Sequence, residues 1–99
     1  MSGMASRWWA EVSGADLAKR PPSVVVVLTE DAEQGGYFVA AYDTAGRPTV
    51  PTTWHGARAG ATAWAESEHA PADIGEWREI PDTVADAALY ARKAISRRG

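Results

Sequence analysis

The chain contains no cysteine. Disulfides, thiolate catalysis and cysteine-based zinc sites are therefore excluded, and a reducing compartment is the natural expectation. No apolar run approaches the roughly 18 residues needed to span a bilayer. The opening "MSGMASRWWAEV" also lacks the apolar core, roughly 7–15 residues, of a secretory signal. These absences lead to the expectation of a cytoplasmic protein with no membrane association. No phosphate-binding glycine loop or dinucleotide fingerprint is present: the glycines of "GARAG" at 56–60 lie inside a helical pattern. No serine has the context of a nucleophile elbow. Internal repeats and low-complexity tracts are missing too. At 99 residues, one domain covering 1–99 is expected.

What is present is unevenly distributed. Arginine outnumbers lysine eight to two and alanine occurs twenty times, a bias of GC-rich bacterial or phage genomes. The net charge is −3, yet residues 30–86 alone sum to −8. The tail from Ala87 holds Arg92, Lys93, Arg97 and Arg98 without an acid. An acidic body favours basic partners and repels free nucleic acid.

The clearest element is "SVVVVLT" at 23–29. Four consecutive valines favour extended backbone, and their lack of alternation predicts a central strand covered on both faces. "YFVAAY" at 37–42 is a second strand, reached through the polar link "EDAEQGG". "DTAG" at 43–46 carries Asp first and Gly fourth, as type I turns prefer. "RPTVPTT" follows, and its prolines allow only an edge strand. Residues 4–12 fit both a helix and a strand, and the helix is favoured. With Thr53 as N-cap, a second helix would place Trp54, Ala57, Ala61, Trp64 and Ala65 in one core-facing arc. "APADIGEW" reads as a loop and "EWREI" as a short further strand. Asp82 or Thr83 would cap a last helix buried along Val84, Ala87, Ala88, Ala91 and Ile95, with Leu89 facing away. The expected fold is α+β: a three- to four-stranded antiparallel sheet packed by two or three helices.

His55 is the sharpest catalytic candidate, with His69 behind it. A general base needs an orienting partner and a cleft. Glu66 lies about three helical turns from His55, too far for a direct bond, so a solvated surface histidine is expected. The spacing of His55 and His69 matches no metal-ligand pattern, and neither a metal nor a cofactor is expected. Glu30, Asp31 and Glu33 form an acidic loop that lacks calcium-loop spacing. Asp43 is expected across the hairpin from it, with Tyr42 beside Asp43. These five residues are the candidate partner-binding set. The tail cations scatter around their helix instead of forming a stripe, which argues against nucleic-acid binding.

Val24–Leu28, Glu30-Asp31, Gly36-Tyr37, Asp43 with Gly46, Thr53, the spacing Ala57, Ala61, Ala65, and Ile80-Pro81 follow one another in an order that resembles the N-terminal domain of HicB-type antitoxins. The resemblance covers a little over half of the chain. Pro-Thr-Thr stands where that family enters its helix with Gly-Asp-Thr, and no helix-turn-helix or ribbon-helix-helix pattern follows Pro81. The resemblance implies a non-catalytic domain that docks on a small basic ribonuclease toxin. The leading expectation is thus a non-enzymatic protein-binding module, an antitoxin-like inhibitor with a basic protein partner and a capacity to form homodimers. The alternatives are a ligand-binding or enzymatic domain with a tryptophan-lined pocket, and nucleic-acid binding through the basic C-terminal helix.

Overall fold

A computed structural model describes residues 6–13, 23–69 and 73–98. The expected turn in "ADLAKR" lies outside the described residues, as do the side chains of His69, Arg97 and Arg98. In chain order the elements are β1 (Arg7–Ser13), β2 (Val25–Glu30), β3 (Tyr37–Tyr42), β4 (Thr53–His55), α1 (Arg58–His69), β5 (Asp73–Ile74), β6 (Arg78–Ile80) and α2 (Ala87–Arg98). All pairings between named strands are antiparallel. The lateral order is β4-β3-β2-β1-β5, and β6 also pairs with β1. β5 and β6 share one side of β1: Val12 and Ser13 pair with β5, and Arg7 to Trp9 pair with β6. The sheet is thus five strands wide, not three or four, and its fifth position is split between two short segments.

The additional strand is β1, where the helix expected over residues 4–12 is replaced by strand from Arg7 onward; residues 4 and 5 lie outside the described residues. A helix would need both Trp8 and Trp9 on one buried face. Extended backbone sends them to opposite faces, and here both faces are covered. Trp8 pairs with Leu28 and Trp9 with Val27. The apolar–polar alternation is broken at Trp9, because both faces are buried at the centre of this strand, Trp9 on one and Ala10 on the other.

The valine run behaves as expected. Val26 and Leu28 pack with Val39, Ala41, Ala61 and Ala65, beneath α1. Val25 and Val27 pack with Trp9, Ile80 and Ala91, beneath α2. The result is three layers, a helix on each side of the sheet, with β2 near its centre. Alanines at the contacts let each helix approach the sheet closely.

Helix boundaries differ from expectation at both helices. α1 begins at Arg58, and Thr53 to His55 are strand paired with Val39 to Tyr37. Gly56 and Ala57 separate the two elements. Ala61, Trp64 and Ala65 keep their inward positions, while Trp54 and Ala57 do not. The edge strand itself falls at 53–55 rather than along the proline-bearing 47–53, where the structure makes one bridge, Tyr42 to Pro48. β5 lies inside the segment expected to be a loop. α2 starts later than Asp82 or Thr83 would set it. Asp86 is its N-cap: its Oδ1 accepts the Leu89 N–H at 3.0 Å, the N3 position. Val84 precedes the helix but still packs on its core, together with Ala87, Tyr90, Ala94 and Ile95. Leu89 is exposed, as the helical wheel requires.

Candidate partner-binding surface

The β2–β3 hairpin is closed by Asp31. Its backbone N–H donates to the Gly36 carbonyl at 2.7 Å, and its own carbonyl accepts the Gly35 N–H at 2.8 Å. Its Oδ1 accepts the N–H groups of Glu33 and Gln34 at 3.0 and 3.2 Å. Its Oδ2 accepts the Trp54 indole N–H at 3.1 Å. The side chain therefore fixes both the loop and a ring on the neighbouring strand. Glu33 is exposed at the tip and Glu30 is half-buried where β2 ends. Among the described residues the Glu30 carboxylate accepts a long contact, 3.4 Å, from the Ser6 N–H. Among the described residues no lysine or arginine pairs with Glu30, Asp31 or Glu33.

Asp43 and Tyr42 are elsewhere. In the pairing register Glu30 faces Tyr37 and Val25 faces Tyr42. Tyr42 and Asp43 thus sit at the opposite end of β3, about 17 Å from the acidic tip at ~3.4 Å per residue. The expectation that Asp43 lies across the hairpin from the acids is corrected by this register. Asp43 is buried, and its Oδ1 accepts the Ala45 and Arg47 N–H groups, each at 2.9 Å. The Gly46 N–H returns to the Asp43 carbonyl at 3.0 Å, and Gly46 adopts φ +84°, which glycine alone reaches without strain. Asp43 is an organiser of its turn. Burial, and secondarily the negative Asp86, push the Tyr42 hydroxyl above its ordinary pKa of 10.0. The five candidates therefore divide into an acidic tip of three and a structural pair of two.

Beside the tip stands an aromatic surface that includes Trp54, a residue expected in the core. Trp54 is 45% exposed and Phe38, its partner across β3 and β4, is 40% exposed. The register puts both on the α2 side of the sheet. The contacts of α2 lie chiefly over β1 and β2, so these two rings stand clear of it. The indole nevertheless has a fixed seat. It lies so close over Gly36 that a Cβ there would come within 2.2 Å of the ring. Glycine at 36 is thus required by close approach.

His55 lies on the other face. Its Nε2 is 2.9 Å from the Thr53 hydroxyl, and its ring is 5.4 Å from that of Trp64, tilted by 46°. It is half-buried in a ring contact, not a solvated helix residue. The same face carries Trp8, whose ring is 6.2 Å from Tyr37 and lies under the Arg58 guanidinium at 4.4 Å. Trp54 and Trp64 are therefore on opposite sides of β4 and do not line a common cavity.

Clefts elsewhere among the described residues include two. One of about 200 Å³ is lined by Glu11, Val12, Val24, Thr44, Arg92 and Ile95. A shallower one of about 400 Å³ lies along α2 at Val84, Ala85, Asp86, Leu89, Tyr90 and Lys93. Neither contains His55 or an indole. Arg92 is drawn inward from the basic tail: it donates to the Thr44 carbonyl at 3.1 Å and lies against Gly46. Among the described residues, no cluster of three or more histidine or carboxylate groups could hold a metal. No described helix is long and apolar enough to cross a membrane. The chain matches no family model, no curated protein and no solved structure.

Proposed function

We propose that this chain is a non-enzymatic protein-binding module whose acidic hairpin contacts a small basic protein, in the manner of an antitoxin-type inhibitor. The observation that carries the proposal is the state of the tip. Glu30, Asp31 and Glu33 stand together at one end of the sheet, none of them paired with a cation among the described residues, on a loop fixed by Asp31. Charges held in place before binding cost little ordering entropy on contact and steer an oppositely charged partner toward them. The net −8 of residues 30–86 extends that field over the body of the molecule. The resemblance to the HicB-type antitoxin domain supports the same reading, through the order of motifs from Val24 to Pro81.

Tyr42 and Asp43 take no part in this contact, being remote from the tip and engaged in their own turn. Affinity capture from a host-cell extract at low salt, followed by mass spectrometry, tests the proposal. A stoichiometric basic protein is expected on the wild-type chain and lost on the Glu30→Gln/Glu33→Gln variant, which leaves the Asp31 bonds in place. Recovery of no stoichiometric partner, or of one indifferent to the two substitutions, would contradict it.

A further inference from the structure

Edge strands offer unpaired backbone groups to any passing chain, and proteins normally guard them with charge, proline, bulges or brevity. The two edges of this sheet are guarded differently. At the β5/β6 edge the strands are broken by Gly75, and the exposed Glu76, Arg78 and Glu79 lie along it. At the β4 edge no charged residue occurs from Pro48 through Ala57. Next to that uncharged edge stand the two exposed rings, Trp54 and Phe38, with the indole held by Asp31 and Gly36.

We propose that the β4 edge is an interface for a second copy of this chain, the two β4 strands pairing antiparallel about a twofold axis. Pairing of this kind would continue the sheet from one copy into the next and bring both Trp54 rings, with Phe38 behind them, to the same side of the joint. Charge favours a second copy over a basic strand here. The edge has no acid with which a basic strand could pair, and two identical uncharged edges meet without repulsion. The acidic hairpin adjoins the C-terminal end of β4, where Tyr37 pairs with His55. A twofold axis therefore sends the two hairpins to opposite ends of the joint. Each then lies alongside the partner's stretch from Arg47 to Thr52, whose single charge is the exposed Arg47 guanidinium. Pro48 and Pro51 flank the strand and keep the joint short. A closed twofold leaves no free β4 edge, so pairing at this edge stops at two copies. This inference is independent of the basic-partner reading, because the acidic tips stay at the two ends of the dimer.

Sedimentation equilibrium of the purified chain, from low micromolar to near-millimolar concentration, tests it. The mass is expected to rise from 10.6 kDa to twice that value. Trp54→Lys, which places a like charge at the axis, should remain monomeric throughout. Thr52→Lys alters an exposed residue beside the strand and leaves the indole seat intact; it should weaken dimerisation at least tenfold. Glu79→Gln, on the opposite edge, should dimerise as the wild type does. A wild-type chain that stays monomeric over the whole range would overturn the proposal. So would a dimer unaffected by Thr52→Lys, or assembly that continues beyond two copies.

Discussion

The two ends of the sheet put similar aromatic residues to opposite use. Each has a tryptophan on the α2 side of the sheet. Next to the β5/β6 edge, on β1, it is Trp9, 4% exposed, packed with Ile80 beneath α2. At the β4 edge it is Trp54, nearly half exposed and anchored through its indole nitrogen. Helix α2 accounts for the difference. It lies over β1 and β2, where Arg7 also ties β1 to the turn before it by donating to the carbonyls of Pro81 and Val84. Among the described residues no helix equivalently covers the α2 side of β3 and β4. One edge is finished within the chain, and the other keeps its aromatic surface in water.

The strongest way to break this comparison is to remove the two indoles in turn. Trp9→Ala should cost about 3–5 kcal/mol, the range for emptying a large buried aromatic site. Ile80→Ala, on the same side, should cost about 2–5 kcal/mol. Trp54→Ala should cost only about 1–2 kcal/mol, because much of its area is already hydrated. All three are read from urea unfolding midpoints at a protein concentration too low for association. If Trp54→Ala proved as costly as Trp9→Ala, the β4 edge would be part of the core.

Asp31→Ala sharpens the comparison from the other side. It removes the acceptor for two loop N–H groups and for the indole, and should cost about 1 kcal/mol by the same unfolding measurement. Trp54 should also lose its fixed seat, seen as a weaker near-ultraviolet dichroism. The smallest effect belongs to Tyr42, at the far end of β3. Its pKa is raised in the folded state, so folding favours the neutral phenol. Stability contributed by this group is complete below the ordinary tyrosine value and declines as pH rises through and beyond it. Tyr42→Phe should flatten that alkaline decline, followed as midpoint against pH, while leaving the neutral-pH midpoint nearly unchanged.

The valine run, the two hairpin strands, the turn at 43–46 and the inward positions Val84, Ala87, Ala91 and Ile95, though not Ala88, were legible because each has a local cause. β-branching, glycine geometry and helical period act within a few residues. β1 was not legible for a physical reason: burial on both faces at its centre breaks the alternation at Trp9, and two adjacent tryptophans then suit a helix equally well. The start of α1 was misplaced because the helical wheel cannot see Gly36, some twenty residues earlier, which gives Trp54 a flat surface to lie on. The acidic tip was visible as a composition. That Asp43 belongs to the opposite end of the strand follows from the register, which no spacing of charges reveals.

The most direct measurement is site-resolved amide hydrogen exchange at two protein concentrations, one well below and one well above the onset of association. Protection at Thr53 to His55 should rise with concentration while that of Arg78 to Ile80 stays constant. Equal, concentration-independent protection at the two edges would contradict the assignment of the β4 edge to a second chain.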